Sequence, residues 1–164
     1  MPIPALPALD DVKRFALIVA LTALAYTLSG WISLKLAVYI ADVVAAVWLA
    51  AGVGAMACLR YGAAGMLGVL LGSFAINSQI LPPDQAFRFA LGASAGAGII
   101  GYLPRYLQPF SPTLDYVSSV AKFALVAAPL GSAVSALTGV MSLYLYGGLP
   151  ADKLLNSLWV SWMG

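Results

Sequence analysis

Histidine and glutamate are absent from this chain, cysteine occurs once, and only 9% of its 164 residues carry a charge. Without histidine there is no imidazole to ligate a metal or haem, or to carry protons near neutral pH. Without glutamate, aspartate is the sole carboxylate. The six aspartates, Asp10, Asp11, Asp42, Asp84, Asp115 and Asp152, fall at expected helix ends or in loops, where capping and turn roles are the default. No carboxylate pair is expected at mid-membrane, which argues against a pump or a proton-coupled transporter. Cys58 has neither a second cysteine nor a base to pair with, so it reads as a buried, inert thiol. No strand pattern and no phosphate-binding glycine loop is present. These absences point away from an enzyme, from a metal or other cofactor, and from a nucleic-acid partner.

What fills the chain is apolar: 62% of residues are hydrophobic, and the mean hydropathy is +0.96. A soluble domain of this size needs a polar face on nearly every helix, so the expected solvent is lipid. About 20 apolar residues cross the roughly 30 Å hydrocarbon layer. Laid off between charges and turn residues, the sequence predicts a single all-α membrane domain over 1–164, a polytopic bundle of five full spans plus a partial sixth. A cytoplasmic segment, 1–14, precedes spans at about 15–33, 43–59, 63–81, 86–103 and 117–146. Asp84 is the expected N-cap of the fourth span and Pro104 its stop, while Pro129 is expected to kink the fifth. The piece from 152 to 164 is too short to cross. With Trp159 and Trp162 three apart, it reads as an interfacial helix or, preferably, as the first half of a sixth span cut off by the chain end.

Positive residues near span ends stay on the cytoplasmic side. Lys13, Arg14, Arg60 and Arg105 all fall on one side of this layout, whereas Lys35, Arg88 and Lys153 on the other are offset by Asp42, Asp84 and Asp152. The expected location is therefore the bacterial inner membrane, with a cytoplasmic amino terminus. Lys122, one turn inside the fifth span, is expected to snorkel to the interface. A cleaved signal peptide fits poorly, because the first apolar run continues past the small residues near Ala23 to Trp31.

Small residues recur at helical spacing: Ala64, Gly68 and Gly72 on span three, Gly92 and Gly96 on span four, Gly131, Ser135 and Gly139 on span five. Such stripes let helix backbones approach closely in lipid, and three of them together predict packing within one chain more readily than a homodimer face. Asn77 and Gln79 lie near the end of span three, where an amide either bonds to a neighbouring helix or meets a ligand.

Several stretches, read in order, resemble the first type of bacterial membrane-associated sensor domain, the MASE family. Trp48-x-x-x-Gly52 is similar to its Trp-Pro-x-x-Gly segment; Gly68, Gly72, Ser73, Phe74 and Asn77 resemble its Gly-x-x-x-Gly-Ala-Phe-x-x-Asn helix. Ser135, Ala136 and Gly139 match a Ser-Ala-x-x-Gly element, and Trp159, Trp162 and Gly164 resemble the opening of a tryptophan-rich segment. Leu49 stands where the family has proline, and Ala63 and Ala64 replace a Trp-Pro pair. The resemblance implies a sensory input module that relays a signal by helix repacking to a histidine kinase or diguanylate cyclase domain beyond the chain end. Trp48, Gly72, Asn77 and Trp159 are its candidate ligand contacts, and Pro129 its candidate mechanical element. Two other classes compete: a substrate-binding membrane subunit of an energy-coupling type importer, and a structural subunit with no ligand.

Overall fold

The computed structural model describes residues 9–39, 48–107, 109–146 and 148–163. Every regular element among them is helical: α1 (Leu9–Tyr39), α2 (Leu49–Tyr61), α3 (Ala63–Asn77), α4 (Pro83–Tyr106), α5 (Val117–Lys122), a π-helical turn (Phe123–Ala127), α6 (Ala128–Leu145), a 3₁₀ turn (Ala151–Lys153) and α7 (Leu154–Met163). Three stretches are long and apolar enough to cross a membrane: Leu9–Leu36, Pro83–Tyr106 and the continuous helix Val117–Leu145.

Five full spans are not what these residues display. At 1.5 Å per residue, the 13 residues of α2 and 15 of α3 reach only about 20 and 22 Å. The expected third span stops at Asn77 rather than 81, because the chain turns there, with the Ile80 and Leu81 amides both donating to the Asn77 carbonyl ahead of Pro82. For the expected second span, residues 43–47 lie outside the described residues, as do residues 1–8 of the expected cytoplasmic segment. The remainder of that segment is not a separate flank: α1 begins at Leu9, six residues ahead of the expected start at 15, with Asp10 and Asp11 in the first turn, where carboxylates complement the helix dipole. Nor is Asp84 an N-cap. Pro82 holds that position and Asp84 sits in the first turn of α4. Pro104 does not stop α4, which runs on to Tyr106.

Pro129 acts one turn earlier than a simple kink. Lacking an N–H, it leaves the helix one donor short, and the preceding turn opens into a π-helix in which the Ala128 amide reaches back five residues to the Phe123 carbonyl.

The helices run up and down. α1 and α3 are parallel, with Gly68 against Thr22, Gly72 against Ala23 and Tyr26, and Gly30 against Ile76. Between α2 and α3 the chain reverses at Gly62, whose φ of +58° and ψ of −121° L side chains rarely adopt. α4 and α6 are antiparallel: Gly92 meets Thr138, Gly96 meets Gly131 and Ser135, and Gly139 meets Phe89. The small-residue stripes thus face other helices of the same chain, as a bundle held by close backbone approach requires. α7 folds back onto α6.

The core is small-sided, gathering Tyr26, Ala50, Cys58, Val69, Ile76 and Ala97. Leucines point outward instead. Leu17, Leu21, Leu24 and Leu28 of α1 are each more than half exposed, while Thr22 and Ser33 of the same helix are buried. That inversion is unfavourable in water and natural in lipid, where leucine costs nothing on the outer face.

Candidate functional site

Between the α1–α3 half and the α4–α6 half lies a cavity of about 440 Å³. Its walls are mostly small or apolar, with Ala93, Gly96 and Ala97 from α4 facing Ala136, Gly139 and Val140 from α6. Val160 and Ser161 of α7 close one side. None of the lining residues is Asp, Lys, Arg or Cys. The Tyr26 phenol is the cavity's one ionisable side chain, and a concave, mostly apolar wall with a few polar groups is the shape in which small molecules bind.

Tyr26, Trp48, Ser73 and Asn77 bring polar groups to the cavity from α1, the start of α2 and α3, and Ser132, Ser135 and Ser161 bring hydroxyls from α6 and α7. Close approach at Gly72 explains how α1 and α3 bring theirs together. A carbon atom added there would lie 2.7 Å from the Ala23 carbonyl oxygen and 2.8 Å from Tyr26 Cβ, so only glycine lets Tyr26 settle beside the face of α3 that carries Ser73. One turn on, Asn77 Nδ2 donates to the Ser73 carbonyl at 2.8 Å and to Ser73 Oγ at 3.2 Å. Trp48 is fixed by the start of α2. The Leu49 amide beside it donates to Ser33 Oγ of α1 at 3.0 Å, and its indole Nε1 reaches the Tyr26 hydroxyl at 3.5 Å, a long and weak hydrogen bond.

Of the four residues expected to contact a ligand, the structure brings Trp48 and Asn77 to the cavity. Gly72 instead meets α1, and Trp159 is 58% exposed, its ring edge-on to Trp162 at 5.5 Å. Val160 and Ser161 take the place expected for Trp159. Gln79 is also outside, its amide donating to the Ala75 carbonyl. Sequence reasoning missed Tyr26 and Ser73 as site residues. A signal was present: Tyr26 stands in mid-span, away from the interfacial ends that aromatic belts occupy, and Ser73 lies one helical turn from Asn77.

Trp162 makes the contact that ties α7 to the bundle. Its Nε1 donates to the Pro129 carbonyl oxygen at 2.9 Å, at the turn following the π segment. Gly131, Ser132 and Ser135, just beyond that proline, line the cavity.

Arg105, Lys122, Arg88 and Asp84 sit at the two ends of the bundle. Arg105 Nη2 donates to the Leu59 carbonyl at 2.8 Å and its guanidinium stacks on Tyr102, joining the ends of α2 and α4. Nearby, Lys122 Nζ donates to the Pro109 carbonyl. At the opposite end Arg88 lies over the Tyr146 ring, and the Asp84 carboxylate accepts from the Tyr146 hydroxyl, which holds that phenol above its ordinary pKa. No family model, curated protein or solved structure matches the chain.

Proposed function

We propose that this chain is a membrane-embedded sensory input module of a bacterial signal-transduction protein, of the type that feeds a histidine kinase or diguanylate cyclase domain. The observation that carries the reading is the continuity between the cavity and α7. Val160 and Ser161 form part of the cavity wall, and the next residue, Trp162, is hydrogen-bonded to the carbonyl of Pro129 beside the π-helical turn. A ligand that changes the wall acts on α7 directly. The π turn, whose backbone bonds are already displaced, gives α6 a second arrangement to adopt.

In this reading the bundle sits in the inner membrane with α2 and α3 also crossing it as short inner helices, which locally thinned lipid accommodates. That gives five spans, with α7 opening a sixth. Lys13, Arg14, Arg60 and Arg105 lie toward the cytoplasm, and the outer leucines of α1 meet lipid. The similarity of Trp48-x-x-x-Gly52 and of the Gly68-to-Asn77 helix to the membrane-associated sensor family supports the same assignment.

Spin labels at two outward positions, Leu91 of α4 and Leu155 of α7, test the relay in nanodiscs. The expected result is a distance distribution that shifts when a neutral-lipid extract of bacterial membranes is added and stays shifted in Trp162→Phe, which lacks the indole donor. One unchanging distribution under all these conditions overturns the relay. Copurification of a membrane partner with a pair of ATPases would instead favour an importer subunit.

A further inference from the structure

We infer that the cavity takes a neutral, largely apolar molecule carrying a single hydrogen-bonding head that both donates and accepts, of the kind a medium-chain alcohol presents. The inference rests on the ligand-receiving reading above and names the chemistry of that site. Its volume, about 440 Å³, lies in the range of about 300–1,000 Å³ that small-molecule sites occupy.

Charge is the first discriminator. No lining side chain is ionisable except the Tyr26 phenol, so an anionic or cationic ligand would be buried with no counter-charge, at a cost that makes ions rare in such sites. The second is the placement of polarity. Most of the wall is Gly, Ala and aliphatic side chain, which gives a tail contact, and the α6–α7 side adds only the small hydroxyls of Ser132, Ser135 and Ser161. At the α1–α3 end three groups stand with bonding capacity in reserve. Trp48 Nε1–H has only the 3.5 Å contact to the Tyr26 hydroxyl. Tyr26, 3% exposed, lines the same space. Asn77 spends both of its described hydrogen bonds through Nδ2 on Ser73, and no described residue donates to its Oδ1. An indole N–H and an amide side chain lining one cavity offer it a donor and an acceptor, which a hydroxyl head satisfies in both directions. A hydrocarbon leaves both unmet, and a carboxylate is repelled by the acceptor.

The test uses the whole chain in nanodiscs, labelled with fluorotryptophan, whose four indole resonances are assigned by single Trp→Phe changes. Decanol, decane and decanoate are the probes. Decanol is expected to move the Trp48 resonance saturably without moving that of Trp31 on the outer face of α1. It should bind roughly tenfold or more tightly than decane, the ratio that one well-formed hydrogen bond supplies, and decanoate should be weaker than decanol. Asn77→Leu should erase the preference for decanol over decane. Should that variant fail to fold, the three-probe comparison on the unsubstituted protein still decides. Equal binding of decane, or tighter binding of decanoate, overturns the ligand class but leaves a binding cavity in place. If no probe moves Trp48 saturably, the cavity is a packing void and both readings fall.

Discussion

At Gly96 the separation of α4 and α6 is set by the absence of one carbon atom. A Cβ there would lie 2.5 Å from the Gly131 carbonyl oxygen, a backbone atom that cannot rotate away. Gly52, by contrast, has nothing within 4 Å of where its Cβ would stand. The pair makes a controlled comparison. Gly96→Ala is expected to destabilise the bundle by about 1–3 kcal/mol through overpacking, whereas Gly52→Ala should stay within about 0.5 kcal/mol of the parent. Unfolding free energies measured by denaturing-detergent titration check both, and equal values for the two variants would show that the stripe does not set the helix separation. The periodicity of Gly92, Gly96, Gly131 and Gly139 was legible in the sequence because small residues four apart fall on one helix face. Which helix each stripe meets was not, since Gly72 and Gly92 look alike in sequence yet meet α1 and α6 respectively. Tyr26 shows the same limit. Its burial depends on a partner glycine 46 positions away, and no local pattern in α1 announces it.

Within the long helix Val117–Leu145, the proline and the deformation it causes lie at different residues. Pro129 supplies no amide, and the strain is taken up over the π turn Phe123–Ala127, across which the Ala128 amide bonds to the Phe123 carbonyl five residues back in place of an i→i+4 bond. Bonds of this π type are poorer, and a difference of about 0.5–1.5 kcal/mol per hydrogen bond corresponds to as much as roughly tenfold in opening. The Ala128 amide should therefore exchange with deuterium several-fold faster than those at the middle of α4. In Pro129→Ala, the restored N–H should bring the two rates together. Equal rates in the unsubstituted protein would mean that the π turn is no weaker than ordinary helix. A proline-induced kink is readable from one residue, but the choice between a bend and a π turn depends on packing from other helices, including the Trp162 donor arriving at the Pro129 carbonyl. Helix ends behaved similarly. Pro104 falls in the last turn of α4, which still reaches Tyr106, where the Leu107 amide closes onto the Pro104 carbonyl. The sequence at Asn77 carried no breaker of its own, and the α3 terminus follows from turns that use its carbonyl.

For the whole molecule, the up-and-down order of helices fixes which charges share an end. Because α1 and α3 are parallel and α4 antiparallel to α6, the start of α1, the junction of α2 with α3, the end of α4 and the start of α5 lie together, and they carry Lys13, Arg14, Arg60, Arg105 and Lys122. Arg88 and Lys153 lie toward the other end, with Asp84 and Asp152 beside them in sequence. In the proposed orientation, retention of positive ends in the cytoplasm would give every helix terminus its side at once. The assignment is checked by placing single cysteines at Lys13, Arg88, Lys122 and Lys153 in a Cys58→Ala background and labelling intact cells with a membrane-impermeant maleimide. Labels are expected at 88 and 153 from outside, and at 13 and 122 only after the membrane is opened. The buried native thiol, wholly enclosed against α4 at Gly101, should stay unlabelled until the protein unfolds. Labelling of 13 and 88 from the same side would contradict the helix order as well as the orientation. Exchange of the two pairs would leave the bundle intact and place the Trp162 end of α7 on the wrong side of the membrane for the relay proposed above.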